Sequence, residues 1–198
     1  MTGAPAPRHL KCVLLGETGV GKSSLAFRWA HKAAPPRDGG ATIGASFVPL
    51  RTADGAHVDV WDTAGQERYR SLAPMYVRGA HVAVLVSDAT APRRGPGAGA
   101  NAANTFAEWR DLVERSGAVA VHATNKSDLL YGAAPGPSGG DSPGAPIFVS
   151  ARTGDGADEL LGRVVELARE ADALRPREAV VRSLSVDAPP AAAAGCCR

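Results

Sequence analysis

Leu10-Lys11-Cys12-Val13-Leu14-Leu15-Gly16-Glu17-Thr18-Gly19-Val20-Gly21-Lys22-Ser23-Ser24 opens the ordered part of the chain, and an apolar run in it gives way to a loop of the form G-x-x-x-x-G-K-[ST]. Residues 10–15 read as a buried strand and residues 22–32 have helical composition, so the order is strand, glycine loop, helix. In such a loop small residues let backbone N–H groups turn inward toward oxygen atoms. The helix that follows aims the positive end of its dipole at the same point. The stretch therefore predicts a cradle for the phosphates of a nucleoside triphosphate, built from Gly16, Thr18, Gly19, Val20, Gly21 and Ser24. Lys22 would reach the β- and γ-phosphates, and the Ser23 hydroxyl would hold Mg²⁺. Nothing in the loop selects a base.

Beyond this stretch, residues 47–52 and 57–61 read as strands joined at Asp54-Gly55, a hairpin signal that pairs them antiparallel. Apolar runs at 81–87, 118–123 and 146–149 are unbroken, as in strands of a parallel sheet buried on both faces. Helical segments at 104–115 and 158–174 alternate with them. The expected fold is α/β, a P-loop NTPase fold: a mostly parallel sheet of about six strands, one of them an antiparallel hairpin strand, with helices on both faces. The domain plan is a flexible N-terminus over 1–9, one nucleotide-binding domain over 10–173 and a flexible tail over 174–198. Residues 91–103, 131–145 and 188–195 are dominated by Gly, Ala and Pro and read as loop or tail. The second of these carries three prolines and five glycines and is not expected to form a helix.

Composition narrows the function classes. Twenty-two Lys and Arg stand against 20 Asp and Glu, a net charge of +2, which provides no basic field for nucleic acid. Three cysteines, Cys12 in the first apolar run and the pair Cys196 and Cys197 near the end, make no disulfide framework. No apolar run approaches the roughly 18 residues needed to span a bilayer, and no signal peptide opens the chain. Thr2 stands where N-myristoylation needs glycine. The expectation is a cytosolic body whose membrane contact comes from an added anchor.

Two further motifs select the base. Asn125-Lys126-Ser127-Asp128 follows the strand at 118–123, which puts it at the carboxyl end of the sheet beside the phosphate loop. A carboxylate there accepts both N1–H and N2–H of guanine, and adenine offers no such pair, so Asp128 points to guanine. Ser150-Ala151-Arg152, after the next strand, would add a backbone N–H for O6. In Asp62-Thr63-Ala64-Gly65-Gln66-Glu67, Asp62 would join the Mg²⁺ shell, the Gly65 N–H would meet the γ-phosphate and Gln66 would orient the attacking water. Thr42 would close over Mg²⁺ and the γ-phosphate from the other side.

With these residues assembled, the chain resembles the Ras-like small GTPases and, within them, the Rab branch. Ile43-Gly44-Ala45-Ser46-Phe47, the run from Trp61-Asp62 to Ser71-Leu72, and Met75-Tyr76-Val77-Arg78-Gly79-Ala80 carry the likeness. The stretch 69–80 is most similar to the early-endosomal Rabs. The resemblance implies a GDP/GTP switch that hydrolyses GTP slowly until an activating protein supplies an arginine. It implies an effector surface at Ile43, Phe47, Trp61 and Tyr76, and a monomer served by an exchange factor, a GTPase-activating protein, effectors, a Rab escort protein and a GDP-dissociation inhibitor. It implies geranylgeranyl groups on Cys196 and Cys197, and residence on the cytoplasmic face of endosomal membranes with a cytosolic pool. Four places depart from the family: Ala33-Ala34-Pro35-Pro36 replaces a base-stacking aromatic, 92–103 replaces a short link with a longer one, Thr124 stands where glycine is common, and 131–145 replaces a helix. Two rivals follow: a guanine-nucleotide binding module with little hydrolysis, and a P-loop kinase sharing only Gly16 to Ser23.

Overall fold

β1 (His9–Leu15) is the middle of the sheet, and its burial explains the apolar run: Cys12, Val13, Leu14 and Leu15 are all fully buried. In a computed structural model the chain is described over residues 9–37, 40–91, 100–130 and 145–175. Successive residues of a strand point to opposite faces, so Leu10, Cys12 and Leu14 enter one core and Val13 and Leu15 the other. The first core is closed by α1 (Lys22–His31) and α5 (Ala157–Leu174). The second is closed by α3 (Ala73–Val77) and α4 (Ala100–Ser116). β4 (Val82–Asp88) divides the same way, with Val82, Val84 and Val86 on one side and Ala83 and Leu85 on the other. Burial leaves the Cys12 thiol pushed up to about 12, an inert group at neutral pH.

The remaining strands are β2 (Ala45–Arg51), β3 (His57–Thr63), β5 (Val119–Asn125) and β6 (Ile147–Phe148), and the sheet order is β2-β3-β1-β4-β5-β6. Only β2 and β3 pair antiparallel, through the expected hairpin at Asp54-Gly55. The chain leaves β1 toward β3 on one side and returns to β4 on the other. The carboxyl end of β1 is thus the topological switch point, where open α/β sheets bind ligands.

The fold is the expected one, with local corrections. β1 begins at His9 and α5 runs through Leu174, each one residue beyond the range 10–173. β3 continues through Asp62 and Thr63 because these pair with Ser46 and Ala45, and the Thr63 hydroxyl donates to the Leu14 carbonyl at 2.6 Å. β5 continues through Asn125, which pairs with Asp88, so the N-K-x-D motif begins inside the strand. α4 begins at Ala100, inside the stretch read as irregular. Its first residues are alanine-rich, and alanine is the best helix former, unlike the Gly and Pro it was grouped with. Two short helices, α2 (Glu67–Arg70) and α3, were not anticipated. The readings for 1–8, for 131–144 including the absent helix, and for the tail with Cys196 and Cys197 lie outside the described residues. Among the described residues no helix is long and apolar enough to cross a membrane.

Candidate functional site

At the carboxyl end of β1 the chain turns through Gly16 and enters α1 at Gly21, which has φ +93° and caps the helix with no side-chain hydrogen bond. The first amides of α1 are therefore uncapped by any side chain. A Cβ on Gly21 would lie 2.3 Å from Asn125 Nδ2, so only glycine fits between loop and β5. The opposite wall is equally tight: a Cβ on Gly65 would lie 2.5 Å from the Glu17 carbonyl carbon and the Thr18 nitrogen.

Between these walls lies a cavity of about 340 Å³ whose lining includes Thr18, Gly19, Gly21, Lys22, Ser23, Ser24, Thr42, Gly65 and Gln66. Gly16 and Val20 contribute from behind. Lys22 Nζ donates to the Gly16 carbonyl at 2.9 Å and the Glu17 carbonyl at 2.8 Å, and the Val20 carbonyl accepts from Asn125 Nδ2 at 2.9 Å. Lys22 is a buried cation: burial pulls its pKa down to about 8 against the opposing pull of Asp62 and Glu17. Such a group is poised for an anion, since polyphosphate oxygens would replace the hydration it has lost.

Ser23, Thr42 and Asp62, the three expected metal ligands, converge. The Ser23 and Thr42 hydroxyls stand 2.7 Å apart, and Thr42 donates to Asp62 Oδ2 at 3.3 Å. Asp62 Oδ1 is buried with no hydrogen-bond partner among the described residues. Burial raises the Asp62 carboxyl while hydrogen bonding from Ser23 and the charge of Lys22 oppose the rise. Two hydroxyls and a carboxylate with an unmet oxygen form a hard-oxygen donor set that fits Mg²⁺. Gln66 lines the same cavity, with Oε1 accepting from Arg68 Nε at 2.6 Å.

The base motifs form a second half, joined to the first through Asn125. Asn125 Oδ1 accepts from the Ala151 N–H at 3.0 Å while Nδ2 holds the phosphate loop. Asp128 Oδ1 accepts from the Ser150 hydroxyl at 2.6 Å, and Lys126 Nζ pairs with Asp88 Oδ2 at 2.5 Å. Arg152 is exposed at the edge of this loop. Ala33, Ala34 and Pro36 are exposed and Pro35 is half-buried, where a stacking aromatic was missing from the sequence.

Phe47 and Trp61 meet edge-on at 5.5 Å and Trp61 and Tyr76 at 5.8 Å, a connected aromatic row across β2, β3 and α3. Ile43 is 80% exposed, outside the ring contacts. Sequence reasoning missed Met75 and Leu72, which are also exposed and widen the apolar surface. It missed Asp88 as well. Burial alone would raise that carboxyl, but hydrogen bonds from Lys126 and Thr90 hold it below its usual range. The signal was present, since Asp88 ends a strand adjoining the switch point.

The family model described as "Ras of Complex, Roc, domain of DAPkinase" matches residues 11–128, more than half of the chain. Human Ras-related protein Rab-22A is 40% identical over 131 residues, 63% of this chain and 63% of the relative. The chain belongs to the Rab family of Ras-like GTPases. Rat Ras-related protein Rab-31 is 40% identical over 135 residues, 63% of this chain and 62% of its own length. Rice Ras-related protein Rab5A is 49% identical over 86 residues, 42% of each chain. The match of this Rab chain to such relatives thus spans a little under two thirds of their length.

Proposed function

We propose that this Rab chain is a GDP/GTP switch that hydrolyses GTP to GDP and phosphate and recruits effectors to endosomal membranes. The observation that carries the reading is the joining of two half-sites by one side chain. Asn125 spans from the phosphate loop at Val20 to the base loop at Ala151, so a triphosphate end and a guanine end share one rigid element.

In this reading the backbone of Gly16 to Gly21, with Lys22 and Ser24, binds the phosphates, and Asp128 accepts the two guanine donors while Ser150 holds the carboxylate in place. The loop at Ala151 and Arg152 faces O6, with the Ala151 N–H held by Asn125 and the Arg152 N–H offered to the base, and Lys126, paired with Asp88, covers the base. Ser23, Thr42 and Asp62 would hold Mg²⁺, whose charge would be supplied to offset that developing on the phosphates. Gln66 turns from Arg68 to orient the attacking water, and the Gly65 N–H meets the γ-phosphate. Loss of the γ-phosphate releases the loops around Thr42 and Gly65. Ile43, Phe47, Trp61 and Tyr76 are the surface effectors read, and the aromatic row supports this because large rigid rings are favoured at interfaces.

The chain is proposed to be a monomer served by an exchange factor, a GTPase-activating protein, an escort protein and a GDP-dissociation inhibitor. Geranylgeranyl groups on Cys196 and Cys197 anchor it, because two lipids hold where one is marginal. Single-turnover GTP hydrolysis, with and without a Rab-type activating protein, tests the reading. The expected acceleration is about 10³- to 10⁵-fold. Tight GTP binding with no acceleration would replace it by the binding-module reading, and equal binding of ATP and GTP by the kinase reading.

A further inference from the structure

We infer that Arg28 on α1 is a positioning residue for the guanine end of the site, setting how the loop at Ser150-Ala151-Arg152 presents the Arg152 N–H to O6 of the base. The inference rests on the guanine-nucleotide reading above and adds a residue to it.

Arg28 lies on the helix that begins with Lys22, so one element reaches both ends of the nucleotide site. Its Nε donates to the Ala151 carbonyl at 2.9 Å and a terminal nitrogen donates to the Arg152 carbonyl. A planar guanidinium is suited to this task, because its fork meets two acceptors at once without bending the loop. Gly154 gives the guanidinium a wall: it has φ +102°, and a Cβ there would lie 3.4 Å from the Arg28 side chain. The next residue, Trp29, fixes the same region from inside the core, with its indole donating to the Ala157 carbonyl at 2.8 Å.

The orientation of the amides follows from peptide geometry. In a trans peptide the C=O and N–H point in opposite directions, and the described residues contain no cis bond. Drawing the Ala151 and Arg152 carbonyls toward α1 therefore turns the N–H groups of Arg152 and Thr153 away from it. The Thr153 N–H is met by Ser150 Oγ at 3.1 Å, and that same hydroxyl donates to Asp128 at 2.6 Å. The Arg152 N–H is thus directed to the side on which the guanine-selecting carboxylate stands. Without Arg28 the two carbonyls lose these donors, and the Ala151–Arg152 peptide plane is free to rotate the Arg152 N–H out of reach. The effect on binding is expected to be large here because no aromatic covers the base at residues 33–36, which leaves recognition to the base edge.

The test compares dissociation of three nucleotides from the full chain and from Arg28→Ala and Arg28→Lys. GDP carries O6. 6-Thio-GDP replaces that oxygen with a poor acceptor but keeps N1–H and the 2-amino group. IDP keeps O6 and N1–H but lacks the 2-amino group that Asp128 reads. The unaltered chain should hold GDP several-fold to about tenfold longer than 6-thio-GDP, the range expected for one hydrogen bond. In Arg28→Ala that ratio should fall toward one while the ratio of GDP to IDP is kept, and Arg28→Lys, which reaches one carbonyl, should restore part of it. If Arg28→Ala does not fold, the intermediate ratio in Arg28→Lys decides. An unchanged ratio of GDP to 6-thio-GDP in the variants overturns the inference, as does an equal fall in both ratios, which marks general loosening. Failure of the unaltered chain to distinguish GDP from 6-thio-GDP also overturns it. An unaltered chain that holds ADP as well as GDP overturns the guanine reading itself.

Discussion

The hydroxyl of Ser23, at the start of α1, stands 2.7 Å from that of Thr42, in the segment that leads into β2. Thr42 is also the link to Asp62 near the end of β3. Three chain segments thus meet on a few oxygens at the switch point, and the loop bearing Thr42 is drawn against the phosphate loop by them. A site assembled this way responds as a unit when one oxygen is removed.

For that reason Ser23→Ala and Asp62→Asn are each expected to weaken the Mg²⁺-dependent part of GTP binding by at least about tenfold. Titrating a fluorescent GTP analogue in the presence of Mg²⁺ and then of a chelator separates this part from the rest. Equal affinity for the variants and the unaltered chain in Mg²⁺ would exclude these residues as ligands.

Gln66 is held by Arg68 at 2.6 Å and lines the phosphate cavity. Replacing it by leucine removes the group proposed to orient water and leaves the proposed phosphate contacts in place. Single-turnover hydrolysis should slow by about tenfold or more with GTP affinity kept. Arg68→Ala, which only frees the amide, should alter the rate less. The order of the two variants in one assay is the decisive comparison.

Glycine positions separate site from scaffold. A methyl group on Gly65 meets backbone of the phosphate loop at 2.5 Å, whereas one on Gly162, an exposed position in α5, meets nothing within 4 Å. Gly65→Ala should therefore impair hydrolysis while the fold persists, because the clash is confined to two loops. Gly162→Ala should stabilise the protein by about 0.5–1 kcal/mol through helix propensity, with activity unchanged. Thermal unfolding and hydrolysis measured on both variants check the contrast.

The phosphate half of this site was legible because its residues are contiguous. Gly16 to Ser23 carries its own geometry, and the strand before it and helix after it are strongly patterned. The base half was legible as motifs, but the ties between motifs were not. Asn125 reaching both Val20 and Ala151, Arg70 meeting Glu17 and Glu108, and Lys126 pairing with Asp88 all join segments far apart in the chain. No local pattern encodes such pairs. Strand ends were misread for a related reason: Asp62, Thr63 and Asn125 are polar, and they stay in strands because neighbouring strands pair with them. The early start of α4 was lost when alanine was counted with Gly and Pro.

At the end of the sheet opposite the site, His81 stands just before β4. His81 is buried, and its Nδ1 accepts the Lys11 N–H at 2.9 Å, which requires that nitrogen to be unprotonated. Asp172 on α5 lies 3.6 Å from Nε2, and Arg175 is the cation whose charge acts on the imidazole. Burial, with Arg175 adding to it, lowers the imidazole pKa below its usual value of about 6.5 despite the attraction of Asp172. Between the folded and unfolded values the unfolded chain binds more protons, so stability falls as pH falls through that window. The melting temperature should drop by a few degrees between pH of about 7.5 and about 5.5. His81→Gln keeps an acceptor for Lys11 and removes the titration, so it should lower the starting stability but flatten the slope. Thermal unfolding across this range, for both proteins, measures the difference in slope that belongs to His81 alone. Identical slopes would mean that the imidazole is protonated as readily in the fold as in the open chain.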